Sequence, residues 1–179
     1  MNILVTGGTG FVGKALVTAL LSRGDSVTVL TRSIKKAPAV FPEKTPQFLT
    51  ALSTLKNLNT FDAVINLAGE PIFDKKWTVQ QKEKLRRSRI DLTQQIVQLI
   101  NQSEHLPVLI SGSATGIYGN CGDEQITENT NPSTQFTAQL CIDWENAAKR
   151  ANTRVCLVRT GLVLSTALSL WTRRKIREW

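Results

Sequence analysis

The chain opens Met1-Asn2-Ile3-Leu4-Val5-Thr6-Gly7-Gly8-Thr9-Gly10-Phe11-Val12-Gly13: a short apolar run, then a glycine-rich turn leading into a helix. Ile3 to Val5 reads as a strand buried on both faces. Gly7, Gly10 and Gly13 recur at three-residue spacing. The first permits a tight turn, the second lets backbone approach a pyrophosphate, and the third lets the helix lie close on the strand. Lys14 to Arg23 continues helically, with Ala15, Leu16, Ala19 and Leu20 predicted on one face. Phe11 and Val12 fall at the start of that helix, where free N–H groups and the positive dipole end would point at phosphate. A bare glycine triplet is a weak signal, but one lying between strand and helix points strongly to a bound dinucleotide. Gly8 to Lys14 also satisfies G-x-x-x-x-G-K, the opening of a triphosphate loop. The next residue is Ala15, without the hydroxyl such a loop uses to hold magnesium, so the NTPase reading falls away.

Further along, strand and helix signals alternate, as in a parallel sheet covered by helices. Strands are predicted at Ser26 to Leu30, Pro46 to Leu49, Phe61 to Asn66, Val108 to Ser111 and Arg154 to Arg159. A long helix is predicted from Val79 to Gln102, with Leu85, Ile90, Ile96, Val97 and Ile100 as its apolar positions. Another runs from Thr134 to Arg150, with Phe136, Leu140, Trp144 and Ala148 on one stripe. This pattern predicts an α/β Rossmann fold, a doubly wound parallel sheet in 3-2-1-4-5-6 order. Gly119 to Pro132 is polar and turn-rich and reads as a surface loop.

Composition narrows the class. Hydrophobic residues make up 41% and charged residues 20%, ordinary for a soluble protein. There is no run of about eighteen apolar residues, so no membrane span, and a cytoplasmic location is the expectation. Cys121, Cys141 and Cys156 are odd in number and widely spaced, which fits reduced thiols and no metal site. The net charge of +8 raises the question of nucleic acid. The basic residues cluster at Lys82, Lys84, Arg86, Arg87 and Arg89 and again at Arg173, Arg174, Lys175 and Arg177. Neither cluster is interleaved with aromatics, and the first reads as a solvated helix face, which argues against nucleic-acid binding. Nothing in the sequence speaks to oligomeric state.

The residues after the second strand bear on which dinucleotide is bound. An NAD site of this type carries an acidic residue there, whereas this chain has Thr31-Arg32-Ser33. The planar donors of Arg32 suit a 2′-phosphate, and Thr31 sits beside it, so NADP is expected in preference to NAD. The alternative for Arg32 is a solvated loop cation.

Three motifs together, Thr6 to Gly13, Asn66-Leu67-Ala68-Gly69 and Ser113-Ala114-Thr115-Gly116-Ile117-Tyr118-Gly119, resemble the extended short-chain dehydrogenase/reductase superfamily. Asn66 to Ile72, Ser88-Arg89-Ile90 and Arg159 to Leu164 narrow the resemblance to its atypical branch of epimerase family proteins, over about residues 1 to 165. The resemblance implies that Leu67, Ala68 and Gly69 line the cofactor, that Arg89 contacts it from the long helix, and that Val163 passes near the nicotinamide. Leu67 and Val163 as core, and Arg89 as surface, are the alternatives.

The superfamily's chemistry uses a Ser or Thr with a Y-x-x-x-K pair, the lysine tuning the tyrosine as acid or base. Ser113 matches the hydroxyl position, but the tyrosine and lysine positions fall on Thr137 and Cys141. Tyr118 is the one tyrosine in the chain and is the candidate to donate to a substrate carbonyl, with a plain loop contact as its alternative. Glu128 matches a loop acid of extended members or is a solvated carboxylate. Cys141 lacks an evident thiolate-stabilising neighbour and reads as a buried thiol. His105, the only histidine, reads as a loop residue.

The expected domain layout is a dinucleotide-binding domain over 1–165 and a non-family basic tail over 166–179, from a frameshift or a shortened variant, with the substrate domain largely missing. That tail has four basic residues against one acidic, about +3 of the net +8. Two readings follow: an NADP-dependent oxidoreductase or epimerase acting on a carbonyl or hydroxyl carbon of an unidentified small molecule, or a non-catalytic dinucleotide-binding or sensing module.

Overall fold

The structure, a computed structural model, describes residues 1–163. Its strands are β1 (Asn2–Thr6), β2 (Ser26–Leu30), β3 (Gln47–Leu49), β4 (Ala63–Asn66), β5 (Val108–Ala114) and β6 (Val155–Thr160). They form one sheet in the order β3-β2-β1-β4-β5-β6, and every neighbouring pair is parallel. This is the doubly wound Rossmann arrangement expected from the alternating pattern. Helices α1 (Phe11–Arg23), α2 (Val79–Asn101) and α3 (Phe136–Ala148) supply the crossovers from β1 to β2, β4 to β5 and β5 to β6.

Alternate residues of the strands feed two cores on opposite faces of the sheet, as the pleat requires. Ile3, Val5, Val27, Val29 and Ile65 meet Val17 and Leu20 of α1. Leu4, Val64 and Leu109 meet Ile96, Val97 and Ile100 of α2 and Ala148 of α3. The two faces therefore receive different helices from one sequence register.

The helices differ from expectation in instructive ways. On α1 the buried positions are Gly13, Val17 and Leu20, while Ala15 and Ala19 are exposed. The predicted face was set by counting alanines as core. The i, i+4, i+7 stripe instead begins at a glycine, because Gly13 must lie flat against the turn. The helix ends at Gly24, in the left-handed region at φ 93°, with its N–H on Leu21 and that of Asp25 on the Leu20 carbonyl 3.1 Å away. This is the Schellman closure, and it frees the chain to enter β2 directly. Thr78 caps α2 by accepting the Gln81 N–H at 3.2 Å.

The basic residues of α2 are partnered rather than merely solvated. Lys84 pairs with Glu70 at 3.0 Å, Arg87 with Glu83 at 2.7 Å, and Arg86 with Asp143. Lys82 lies over the Phe136 ring, and Arg89 turns inward. β4 begins at Ala63 rather than Phe61, whose N–H closes a turn on Leu58. β5 runs on to Ala114, because β6 pairs with it as far as Thr160. No described helix is long and apolar enough to cross a membrane. The expected tail over 166–179 lies outside the described residues.

Candidate functional site

The carboxyl ends of the strands gather nearly every candidate residue along one edge of the sheet. β1 delivers Gly7, β2 Thr31 and Arg32, β4 Leu67 to Gly69, β5 Ser113, and β6 the turn Gly161 to Val163. Strand order reverses between β1 and β4, so this edge opens as a crevice there.

The glycine turn is shaped by contacts that a side chain would destroy. Gly7 is at φ 71°, and a Cβ on it would lie 2.7 Å from the Leu67 carbonyl carbon. A Cβ on Gly13 would run into the Gly7 carbonyl oxygen and lie 2.7 Å from Gly8 Cα. Gly10 donates to the Gly7 carbonyl at 3.0 Å and caps α1 without a side chain, and the first turn holds no acidic residue. The helix ladder begins with the Lys14 N–H on Gly10, leaving the amides of Phe11, Val12 and Gly13 ahead of it. Phe11 and Val12 have exposed side chains, so this N-terminus faces open space. Donors, dipole and absence of negative charge suit it to holding an anion.

A buried polar chain fixes the floor. Thr6 Oγ1 donates to Asn66 Oδ1 at 2.6 Å and accepts the Ala68 N–H at 3.3 Å. Asn66 Nδ2 and Trp144 Nε1 both donate to Thr93 Oγ1, at 2.8 and 3.0 Å. Thr93 in turn donates to the Arg89 carbonyl at 2.7 Å. β1, β4, α2 and α3 are thereby held in one register beneath the crevice. Sequence reasoning missed this chain, although polar Thr6 and Asn66 each close an apolar run, Ile3 to Val5 and Ala63 to Ile65.

Arg89 lies under the Leu67-Ala68-Gly69 turn. Its Nη2 donates to the Glu70 carbonyl at 3.0 Å, its Nη1 to the Leu85 carbonyl at 3.2 Å, and its guanidinium stacks over Trp144. Burial pulls its pKa down from the usual arginine value. A Cβ on Gly69 would lie 2.8 Å from Arg89 Cζ, so a side chain there would push the guanidinium out of its present place. Arg32 is exposed just past β2, while neighbouring Thr31 is buried and accepts the Ser33 N–H. The hydrogen bond from Lys84, with added help from Lys75 and Arg32, holds the Glu70 carboxyl below its usual range.

At the far end of the edge, Ser113 and Tyr118 join one network. Ser113 Oγ, buried, donates to Glu145 Oε1 at 2.7 Å. Arg159 grips both oxygens of that carboxylate, Nε to Oε1 at 2.7 Å and Nη2 to Oε2 at 2.8 Å. Its remaining Nη1 donates to Tyr118 Oη at 2.6 Å and to the Glu128 carbonyl at 3.1 Å. Burial alone would raise the Glu145 pKa, but the hydrogen bonds from Arg159 and Ser113 outweigh it and hold the carboxyl below its usual range. The hydrogen bond to Glu145 pushes Arg159 up in turn. Neither Glu145 nor Arg159 carries a role that a sequence motif assigns. The available signal was Glu145 at i+4 from Cys141, on the helix face that meets the sheet.

The remaining candidates fall outside this chemistry. Cys141 is buried beside Ser113 and Ala114, and burial raises its thiol, so it stays a neutral thiol. Glu128 contributes its carbonyl to Arg159. His105 is an exposed loop residue. Val163 follows β6 at the same edge and is exposed.

The model of the NAD dependent epimerase/dehydratase family matches residues 3–170. The Arabidopsis thaliana epimerase family protein SDR39U1 homolog, chloroplastic, is 41% identical over 172 residues, covering 92% of this chain and 49% of that protein. The crystal structure of human epimerase family protein SDR39U1 (isoform 2) with NADPH superposes with a TM-score of 0.82 at 28% identity, covering 98% of this chain and 59% of that one. UDP-glucuronic acid 4-epimerase from Bacillus cereus, in complex with NAD, shares the fold at a TM-score of 0.72 and 24% identity, over 90% of this chain and 56% of that one. The chain thus spans about half the length of the relatives it matches.

Proposed function

The chain belongs to the NAD dependent epimerase/dehydratase family, and from that premise we propose that it binds NADP(H) along the carboxyl edge of its sheet. The observation that carries this reading is the uncapped start of α1, set against a turn in which Gly7 and Gly13 admit no side chain. Gly7, Gly10, Phe11, Val12 and Gly13 would hold the pyrophosphate. Leu67, Ala68, Gly69 and Val163 would flank the rest of the cofactor, with Arg89 braced beneath the turn. Thr31 and exposed Arg32 would take the 2′-phosphate, a preference supported by the NADPH-bound human relative. A cytoplasmic location goes with this reading, in which the free thiols stay reduced.

When bound, the nicotinamide supplies or takes up a hydride. The protein's part is to orient the reacting carbon's oxygen and manage its proton. Ser113 donates its hydroxyl hydrogen bond to Glu145, so the hydroxyl left to donate to a substrate oxygen is that of Tyr118. We assign Tyr118 the proton-donor role and Ser113 that of holding Glu145 in place. The substrate is a small molecule with a carbonyl or hydroxyl carbon. The test is fluorescence titration with NADPH, followed by a hydride-transfer screen over aldehydes, ketones and nucleotide sugars. Saturable binding with turnover supports the enzyme, and no binding overturns the proposal.

A second reading, a non-catalytic dinucleotide module, is favoured by one observation: Thr137 and neutral Cys141 stand where the Tyr-Lys pair of the superfamily belongs. Binding without turnover, in this chain and in a full-length relative, supports it.

A further inference from the structure

We infer, on the reading above in which Tyr118 is the proton donor, that Arg159 is the charge partner of that tyrosine, with Glu145 setting how much of its charge the phenol feels. Arg159 would thus do from β6 what the lysine of a Tyr-x-x-x-Lys pair does from the helix.

The geometry is specific on who donates. Arg159 Nη1 donates to Tyr118 Oη at 2.6 Å, so the phenol oxygen is an acceptor in this contact and its own proton remains to be given. Among the described residues no acceptor for that proton is found. A tyrosine held only for structure more simply donates its proton to a carbonyl or carboxylate, and a carboxylate lies close by. Glu145 is instead fully engaged by Nε and Nη2 of Arg159 and by Ser113. The bidentate grip fixes the guanidinium plane and leaves Nη1 as the edge presented to the phenol.

The other groups around Tyr118 are neutral or turned away. Cys141 of α3 lies in the same small apolar cluster as Tyr118 and Ile117, and burial keeps its thiol protonated. Cys121 donates its thiol to the Tyr118 carbonyl, and Glu128 offers only its carbonyl to Arg159. Arg159 is therefore the one cation in contact with the phenol among the described residues, its Cζ 5.3 Å from the ring centroid. In the proton step, the Tyr118 O–H bond breaks as a new O–H bond forms on the substrate oxygen. The phenolate left behind is balanced by Arg159 and takes its proton back from water.

Tyr118 is the only tyrosine, so the ultraviolet phenolate band of the full chain reports it alone, with no substrate or cofactor needed. Arg159→Met should move the midpoint of that band upward, since the cation on the phenol oxygen is lost. Glu145→Gln, which releases Arg159 from its counter-ion, should move it down. Arg159→Lys should fall between wild type and Arg159→Met. A phenol uncoupled from the Glu145–Arg159 pair would show no such opposition of sign. Equal midpoints, or shifts in the same direction for Arg159→Met and Glu145→Gln, overturn the inference. If Arg159→Met does not fold, the charge-neutral pair Glu145→Gln with Arg159→Met carries the test. Its midpoint should lie above wild type, because the lost cation is nearer the phenol than the lost carboxylate, and an unchanged midpoint again overturns it. NADPH titration of the same proteins separates the two questions: absence of binding in wild type sinks the proposed function and leaves the tyrosine result standing.

Discussion

Glu145 and Arg159 meet in a two-pronged ion pair between α3 and β6, with N–O distances of 2.7 and 2.8 Å. Glu145 is 2% exposed and Arg159 23%, so the carboxylate depends on the guanidinium more than the reverse. Removing the guanidinium leaves the buried carboxylate with only Lys149, 3.8 Å from Oε2, as a counter-ion. Arg159→Met should cost about 3 kcal/mol in urea denaturation. Replacing both residues, Glu145→Gln with Arg159→Met, should recover a substantial part of that loss. Equal losses in the single and double variants would contradict the assignment of the cost to an unpaired charge.

The same pair fixes the acid limb of stability. Glu145 has a folded-state pKa below its unfolded value, so its contribution is present above the ordinary glutamate range, about pH 4.3, and is lost as pH falls through the folded value. Glu70, lowered by Lys84, acts in the same sense. Thermal melts between neutral and acid pH should show wild type losing stability more steeply than Glu145→Gln. Parallel curves would contradict this.

Two glycines with different surroundings should separate strain from function. At Gly24, φ is 93° with nothing within 4 Å of an added Cβ, so Gly24→Ala should cost about 1 kcal/mol and leave dinucleotide binding intact. At Gly13 an added methyl meets the Gly7 carbonyl and Gly8, so Gly13→Ala must displace the turn itself. It should abolish dinucleotide binding while lowering stability by about 2 kcal/mol. Melting curves and cofactor titration of the two variants check the contrast.

Thr93 holds two buried donors, Asn66 Nδ2 and Trp144 Nε1. Thr93→Val keeps the shape and removes the acceptor, leaving both unsatisfied, and should cost about 2 kcal/mol or more. Thr93→Ser should restore most of it. A neutral Thr93→Val would show that water or rearrangement replaces the lost acceptor.

The parts of the fold legible in the sequence were those with a period. β2 and the span of α2 are seen where the apolar pattern places them, because strand and helix repeats are local signals. The face of α1 was misread because Gly13 owes its burial to contact with the turn rather than to apolarity. The glycine turn was legible because its requirement is backbone shape. The Ser113–Glu145–Arg159–Tyr118 network was not, since it joins β5, α3, β6 and the segment after β5 across long chain separations. Ser113 and Tyr118 were found by motif, but the pair that ties them together emerges only when β6 lies beside β5 in the register Ser113 to Arg159.

The central claim is that the carboxyl edge of this sheet holds a phosphorylated nicotinamide dinucleotide. The most direct measurement is a parallel titration of wild type and Arg32→Ala with NADPH and NADH, followed by intrinsic tryptophan fluorescence. The account predicts saturable binding with NADPH the tighter ligand, and a loss of about tenfold or more for NADPH alone in Arg32→Ala. Failure of wild type to bind either dinucleotide, or an equal effect of Arg32→Ala on both, would contradict it.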